Sequence, residues 1–260
     1  MPEVLTADDV PRAFDEAAPA YDRMVGLNPG YHRHLRSAAQ ALVSKLPGPT
    51  ARLVDLGCGS GASIAALLAA LAATGRSVDI LGVDASAGML AQAERKDWPA
   101  GVRFFPRRAQ DLAILRDDLG LAGAVDGVLA AYLFRNVDAL ERDEVLKEVG
   151  DLLRPGGVLV VQEYSVAGST PAALVWSLVC WSVVIPLSWL TSRQTRLYRY
   201  LWRSVRRFDA VQEFTDRLYA AGFTEIEVRT VPGWQAGILH TFRAVRAAEE
   251  SDGPAYKVAR

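Results

Sequence analysis

From residue 51 onward, short apolar runs alternate with stretches in which apolar residues recur at helical spacing. The pattern predicts strands over 51–57, 77–84, 102–106, 124–132, 158–164, 223–230 and 237–245, and helices over 60–73, 85–96, 139–153 and 209–221. The segment RPGG at 154–157 is typical of a helix stop and a turn. Apolar strands that alternate with helices indicate an α/β fold, with a largely parallel sheet covered on both faces.

The composition is that of a globular protein. Half of the 260 residues are apolar, 23% are charged, and the net charge of −1 predicts no bulk attraction to nucleic acid. Two cysteines, Cys58 and Cys180, form no disulfide framework and indicate a reducing compartment. The acidic N-terminal segment lacks the apolar core of a signal peptide. We therefore expect a cytoplasmic protein.

The first predicted strand continues into a glycine loop, D-L-G-C-G-S-G, with Gly57, Gly59 and Gly61 ahead of a helix. Glycines here let the chain turn sharply and let a ligand approach the backbone. The spacing G-x-G-x-G differs from the G-x-G-x-x-G that binds a pyrophosphate, which disfavours a nicotinamide dehydrogenase. Asp84 ends the second strand at about the spacing expected of a carboxylate that binds ribose. The loop and Asp84 together indicate a nucleoside ligand without a phosphate cradle, such as S-adenosylmethionine.

Glycine turns and strand-terminal carboxylates also occur without a ligand. The loop, the spacing to Asp84 and the strand order together favour the binding interpretation over that alternative.

Four segments resemble the class I S-adenosylmethionine-dependent methyltransferases, and more narrowly the C-methyltransferases of ubiquinone and menaquinone biosynthesis. They are FDEAAPAYDRMVGLNPGYHRHLR at 14–36, VDLGCGSG at 54–61, FRNVDALERDEVLKEVGDLLRPGG at 134–157 and YRYLWRSVRRF at 198–208. The glycine loop is common to many methyltransferases, whereas R-N-V together with Y-L-x-x-S-V-x-x-F is more specific.

The resemblance implies a doubly wound, Rossmann-like methyltransferase fold with a mostly parallel seven-stranded sheet and a helical apolar insertion. We interpret the chain as one domain, 1–260. Its expected parts are a helical cap (1–50), a cofactor-binding core (51–164), an insertion or lid (165–208), a C-terminal helix with strands (209–246) and a polar tail (247–260).

The resemblance also implies how the cofactor is held. By this resemblance, Asp84 would bind the ribose and Met89 would pack on the adenine. The methionine part would be held by Asp55, Gly57, Gly59 and Ser60. The other cofactor-binding residues carried over are Ala85, Arg108, Ala109 and Ala131. Arg108 departs from the family, which usually has Asp or Asn at this position to accept a hydrogen bond from the adenine amino group. Arginine has no acceptor, so either Gln110 or the backbone takes that role, or cofactor affinity is lower.

For the acceptor side, ring-carbon methylation of a prenylated quinol needs a phenolate, and therefore a base or a stabilising cation. We assign phenolate stabilisation, or the orientation of a water, to Arg135, with Asn136 as a hydrogen-bond partner. Tyr21, His32 and His240 are the candidates for moving a proton, since the pKa of arginine is too high. The structural alternatives are a turn-capping Arg135, an exposed helix for His32 and His34, and a packing role for His240. No metal site is expected, because His and Cys show no ligand spacing.

The segment from Tyr164 to Ser192 contains no charged residue, and the stretch 170–191 has three tryptophans. It is long enough to span a membrane, but Pro171, Pro186 and its place inside the domain argue against a transmembrane helix. Six arginines then follow on one face of a predicted helix: Arg193, Arg196, Arg199, Arg203, Arg206 and Arg207. A basic helix beside a Trp-rich apolar hairpin favours peripheral contact of 170–207 with an anionic membrane, or a lid over an apolar substrate. The alternative is a packing helix with solvated arginines.

Three functions are compatible with these sequence features. The first is S-adenosylmethionine-dependent C-methylation of a prenylated benzoquinol or naphthoquinol. The second is methylation of another apolar acceptor, a phenol oxygen or a lipid, by the same fold. The third is a cofactor-binding but inactive subunit of a membrane complex. The head group, the tail length, the proton acceptor and the oligomeric state are left open.

Overall fold

The computed structural model describes residues 9–26, 28, 30–191 and 195–248. The strands are β1 Thr50–Leu56, β2 Ser77–Asp84, β3 Val102–Pro106, β4 Val125–Ala131, β5 Leu153–Tyr164, β6 Phe223–Thr230 and β7 Leu239–Arg246. The α-helices are α1 Val10–Gly26, α2 Tyr31–Val43, α3 Ala62–Ala72, α4 Ala87–Glu94, α5 Leu112–Leu119, α6 Arg142–Leu152, α7 Thr170–Val179, α8 Ile185–Thr191, α9 Thr195–Arg207 and α10 Val211–Ala220.

The seven strands form one sheet in the order β3-β2-β1-β4-β5-β7-β6. The first five strands in this order are parallel, while β7 runs antiparallel to both β5 and β6. The predicted mostly parallel, seven-stranded sheet is therefore confirmed. The strand order reverses between β1 and β4, which is where open α/β sheets bind their ligands, at the carboxyl ends of the strands.

Helices cover both faces of the sheet. On one face, side chains from α5, α6 and α10 pack on the strands, with Phe214 in edge-on contact with Phe134 and Phe242. On the other face, α2 and α3 bury Leu35, Leu42 and other apolar side chains against β1, β2 and β4. The central strands are apolar on both faces because neither face meets water.

Two details differ from the sequence pattern. The pattern did not predict the short helix α5. The segment 154–157 was expected to be a turn between a helix and a strand, but β5 already begins at Leu153, which pairs with Val125. Pairing resumes between Gly127 and Val158, so RPGG forms a bulge near the start of the β4–β5 pairing.

The apolar insertion is a single helical run rather than the hairpin expected from the sequence. α7 passes through a π-helical stretch, Cys180–Val184, directly into α8. Pro171 lies in the first turn of α7, where a missing N–H costs little, and the π stretch precedes Pro186. The segment Thr170–Leu190 is long and apolar enough to cross a membrane, with a mean hydropathy of 1.9. Residues 192–194, including Arg193, lie outside the described residues, as does most of the predicted tail.

Candidate active site

The glycine loop after β1 has the backbone that its sequence requires. Gly57, Gly59 and Gly61 all adopt the left-handed conformation, with φ of 76°, 53° and 89°. A Cβ at Gly61 would lie 2.7 Å from the Trp98 ring, and one at Gly59 would lie 3.1 Å from Met89 Cε. The G-x-G-x-G spacing therefore reflects three positions at which only glycine fits without strain.

Asp84 joins this loop to the end of β2. Its Oδ2 accepts the Gly59 N–H at 2.8 Å and its Oδ1 accepts the Ser86 N–H at 2.8 Å. Burial raises the pKa of Asp84, although these backbone hydrogen bonds oppose the rise. Each carboxylate oxygen has a second lone pair, so Asp84 can still accept hydrogen bonds from the hydroxyls of a ligand.

Asp55, near the end of β1, is completely buried. Its Oδ2 accepts a hydrogen bond from the Ser63 hydroxyl at 2.5 Å, whereas Oδ1 has no partner among the described residues. Burial raises the pKa of Asp55 to about 7, despite the opposing effect of Ser63. A cation bound at the loop would favour the charged carboxylate.

Helix α1 is attached across the loop by two carboxylates. Asp15 Oδ1 accepts hydrogen bonds from the Ser86 hydroxyl at 2.6 Å and the Gly88 N–H at 2.8 Å. Asp22 accepts the Ser60 hydroxyl at 2.5 Å and pairs with Lys96 at 2.8 Å. Burial raises the pKa of Asp22, but the hydrogen bonds from Lys96 and Ser60 lower it overall. These contacts make α1 a cover of the loop.

Beneath this cover lies a cavity of about 120 Å³, which we call the loop cavity. Its walls include most of the residues predicted to bind the cofactor: Gly57, Gly59, Ser60, Asp84, Ala85, Met89, Arg108, Ala109 and Ala131. Asp55 lies behind the loop and does not line the cavity. Most of the residues predicted to bind the cofactor therefore lie around one cavity, and their roles in binding it stay a prediction.

The segment after β3 supplies the far wall of the loop cavity. Arg108 and Gln110 both line it, and Ala109 between them is buried. The Gln110 side-chain NH₂ donates to Glu141 at 2.7 Å, which leaves the carbonyl oxygen as the remaining acceptor of that amide. Gln110 can therefore supply the acceptor that Arg108 lacks.

A second cavity of about 380 Å³, the aromatic cavity, opens beside the first. The two share six lining residues: Phe14, Tyr21, Tyr31, Tyr132, Arg135 and Asn136. Arg135 and Asn136 lie at this junction, and the rest of the wall is largely apolar apart from Asn28, Tyr164, Tyr198 and Tyr200. A molecule in the aromatic cavity would therefore meet a charged side chain, Arg135, where it approaches the loop cavity.

Three stacked tyrosine rings and a tilted tryptophan follow one wall of the aromatic cavity. Tyr132 lies between Tyr31 and Tyr164, with ring centroids 5.4 and 5.2 Å away, and Trp176 follows Tyr164 at 5.0 Å. Tyr132 has a φ of 60°, an uncommon conformation for a bulky residue that is held here by its neighbours. Such a wall is suited to a flat aromatic ring.

Arg135 is fixed at the junction of the cavities. Its Nη1 donates to Glu163 Oε1 at 2.9 Å and to the Tyr132 carbonyl, and its backbone N–H donates to Glu163 Oε2 at 3.2 Å. Burial alone would lower the pKa of Arg135, but Glu163 raises it overall. Asn136 Nδ2 also donates to the Tyr132 carbonyl, at 3.2 Å. Arg135 Nε and Asn136 Oδ1 have no partner within the described part of the chain.

The proton-transfer candidates are placed differently from one another. Tyr21 lines both cavities, and burial raises its pKa although Arg135 opposes the rise. His32 is exposed on α2 and lines neither cavity. His34 and His240 are buried away from both cavities, and burial lowers the pKa of each. The structure thus brings Tyr21, Arg135 and Asn136 together, but not the histidines.

Sequence reasoning missed Glu163, Tyr132 and the aromatic wall. Glu163 is a fully buried carboxylate near the carboxyl end of β5, between Gln162 and Tyr164. A charged residue at the carboxyl end of a buried strand was the available signal, because buried charges need a partner. Among the described residues, no cluster of three His, Cys, Asp or Glu side chains is arranged to hold a metal ion.

The sheet order, the glycine loop and the carboxylate at the end of β2 define a class I S-adenosylmethionine-dependent methyltransferase. Two solved structures share the fold. A SAM-dependent methyltransferase from Thermotoga maritima is 22% identical with a TM-score of 0.57, over 90% of this chain and 98% of that one. Phosphoethanolamine N-methyltransferase 2 of Haemonchus contortus was solved with S-adenosyl-L-methionine. It is 18% identical with a TM-score of 0.61, over 95% of this chain and 61% of that one.

The chain belongs to the ubiE/COQ5 methyltransferase family, whose model matches residues 3–246. It is 32% identical to a demethylmenaquinone methyltransferase of Clavibacter sepedonicus, over 93% of this chain and 91% of that protein. It is also 31% identical to a ubiquinone/menaquinone biosynthesis C-methyltransferase of Syntrophotalea carbinolica, over 90% and 92%. The predicted family, methyltransferase activity and cofactor, S-adenosyl-L-methionine, are confirmed.

Proposed function

We propose that this methyltransferase transfers a methyl group to a ring carbon of a prenylated hydroquinone, of the demethylmenaquinol type. The main support is the junction of the two cavities, where polar side chains face both a cofactor site and an apolar space. Five relatives at 30 to 33% identity are named demethylmenaquinone methyltransferases, which favours a naphthoquinol over a benzoquinol.

We assign the cofactor to the loop cavity. Asp84 would accept hydrogen bonds from the ribose hydroxyls, and Met89 would pack on the adenine. Gln110 would accept a hydrogen bond from the adenine amino group. Asp55, with one oxygen unpartnered, would stabilise the positive charge near the glycine loop. When bound, S-adenosylmethionine supplies a methyl group already activated by its sulfonium, so the protein mainly aligns the acceptor and excludes water.

The hydroquinone ring would lie on the stacked rings of Tyr31, Tyr132 and Tyr164. Arg135 would stabilise the phenolate that makes the neighbouring ring carbon nucleophilic, and Asn136 would hold a hydroquinone oxygen. Tyr21, which keeps its proton near neutral pH, would donate a hydrogen bond rather than act as the base. The ring carbon would gain the methyl group as the cofactor leaves as its neutral thioether. It would then lose its own proton to solvent, and the ring would regain aromaticity.

The prenyl tail would follow the apolar wall formed by α7, α8 and α9. A substrate with such a tail resides in a bilayer, so we propose that the protein is cytoplasmic and works in peripheral contact with the inner face of the cell membrane. Residues 170–207 would make this contact.

A methyl-transfer assay tests the reaction. Purified protein is incubated with radiolabelled S-adenosylmethionine and reduced quinone extract from a strain that lacks its own quinone methyltransferase. We expect label on a ring carbon of a prenylated naphthoquinone. Label on a phenol oxygen or a lipid would contradict the proposal in favour of another acceptor. No label, with cofactor binding intact by calorimetry, would favour an inactive subunit.

A further inference from the structure

The helical run from α7 to α8 has two faces with different surroundings. One face is buried against the domain through Trp176, Cys180, Ile185 and Ser188. The opposite face is exposed, with Leu174 and Leu178 exposed by 66% and 70% and Leu190 by 71%. Of the twelve large exposed apolar side chains in the described residues, seven lie between residues 174 and 190. A concentration of this kind indicates an interaction surface rather than ordinary scatter.

Helix α9 beside this run is basic and has no acidic residue. Arg199, Arg206 and Arg207 are exposed and Arg203 is half-buried. In the described part of the chain, none of these four arginines forms an ion pair with a carboxylate. Their charge is therefore available to an anionic partner.

Tryptophans join the apolar face to the arginines. Trp181 on the helical run contacts Trp202 of α9 edge-on, at 5.6 Å between ring centroids. The Arg199 guanidinium lies 5.9 Å from the Trp181 ring centroid, and that of Arg206 lies 5.1 Å from the Trp202 centroid. Apolar side chains bordered by Trp and then Arg are the order met across the headgroup region of a bilayer.

We infer that the exposed face of α7 and α8, with the arginines of α9, is the surface by which this protein lies on an anionic lipid bilayer. The apolar face would enter the acyl boundary, and Arg199, Arg203, Arg206 and Arg207 would bind lipid phosphates. The run does not span the bilayer, because its other face is buried in the domain. A second copy of the chain would not match the uncompensated positive charge.

The same helical run is also a wall of the aromatic cavity. Val179, Val184 and Leu187 line that cavity, while Leu174 and Leu178 face outward. One helix thus separates the proposed bilayer from the proposed substrate site. This arrangement gives a prenyl tail a short path from the lipid to the ring-binding site. Only this role of the surface depends on the proposed function.

Vesicle sedimentation tests the surface without quinol or cofactor. The full chain should sediment with vesicles of phosphatidylglycerol and phosphatidylcholine, and less with phosphatidylcholine alone. Leu174→Ser combined with Leu178→Ser should lower the partition coefficient about tenfold or more. Arg203→Ala combined with Arg207→Ala should lower it roughly tenfold on anionic vesicles only.

Matched controls remove the same groups elsewhere. Leu140→Ser changes a leucine that is 92% exposed on another part of the surface, and Arg95→Ala with Arg229→Ala removes the same charge. These controls should bind like the wild type. Equal binding by all variants, or a dimer that the leucine changes dissociate in place of vesicle binding, would overturn the inference. So would retention in membranes after alkaline carbonate washing, which would indicate a spanning helix.

Methyl transfer separates this inference from the proposed function. In detergent micelles, the leucine variant should methylate quinol at the wild-type rate, whereas transfer to quinol in vesicles should fall. Absence of transfer in micelles with vesicle binding intact would contradict the proposed function and still support the surface.

Discussion

Glu163 holds Arg135 through both of its carboxylate oxygens, with Oε1 2.9 Å from Nη1 and Oε2 3.2 Å from the backbone nitrogen. Glu163 is completely buried, and it also accepts the Tyr164 N–H at 3.0 Å. One carboxylate thus connects the proposed phenolate-binding cation to the aromatic wall. It acts as a positioning residue, because it does not line either cavity.

Glu163→Gln should lower kcat at least tenfold and leave cofactor affinity nearly unchanged. The change places an NH₂ donor against either the guanidinium or the backbone N–H of Arg135 and leaves the buried guanidinium without its counterion, at a cost of about 3–5 kcal/mol in stability. Steady-state kinetics and calorimetry with cofactor separate the two effects. Glu227→Gln, at an exposed ion pair, is the control and should alter neither. A loss of cofactor affinity equal to the loss of kcat would contradict a positioning role.

Asp55→Asn should change the pH dependence of both stability and cofactor binding. The folded-state pKa of about 7 lies above the usual 3.8, so the wild-type apoprotein is favoured below pH 4 and loses stability as pH rises to about 7. The full loss is of the order of 4 kcal/mol. The variant should therefore melt higher than the wild type at pH 8 but not at pH 4.

Cofactor affinity of the wild type should rise as pH rises through about 7, because a bound cation favours charged Asp55. The Asp55→Asn variant should bind more weakly at pH 8 and should lose this pH dependence. Calorimetric titration at a series of pH values measures both. An unchanged pH profile in the variant would show that another group is responsible.

Asp22→Asn should loosen the cover formed by α1. It removes the ion pair with Lys96 and weakens the hydrogen bond from Ser60, which together attach the helix over the loop. We expect cofactor affinity to fall several-fold through faster dissociation, with a stability loss of about 1 kcal/mol or less, as for a partly exposed pair. Stopped-flow binding and hydrogen exchange of residues 9–26 measure this. Asp143→Asn, at the exposed pair with Arg217, should leave both unchanged.

Trp176→Ala should weaken discrimination for a prenylated substrate. The side chain is buried in the cavity wall, packs against the Tyr164 ring at a tilt and donates to the Trp202 carbonyl at 3.3 Å. We expect about 3–5 kcal/mol lower stability and a raised KM for a long-tailed quinol, with cofactor affinity retained. Kinetics with long- and short-tailed quinols measure the effect. An equal rise in KM for both substrates would contradict a role in tail binding.

Regular patterns predicted much of the fold. All seven strands were expected, and five of them are parallel strands of the kind that needs continuous apolar runs between helices. The glycine loop and Asp84 could be found for a similar reason, since their spacing follows from one β-α-β unit. The prediction of a turn at RPGG was wrong, because glycines in a bulge look locally like a chain break. The prediction of a hairpin in the apolar insertion was wrong for a similar reason, because a proline in a first helical turn also looks like one.

The amino-acid sequence alone therefore determined the elements, the cofactor loop and the family resemblance, all of which depend on residues close together in the chain. Only the tertiary structure brought Glu163 to Arg135, 28 residues away, and placed the rings of Tyr31, Tyr132, Tyr164 and Trp176 along one wall. It also separated the histidines from the cavities and turned Leu174 and Leu178 outward. These relationships depend on which strand ends and helix faces meet, and local spacing has no information on that.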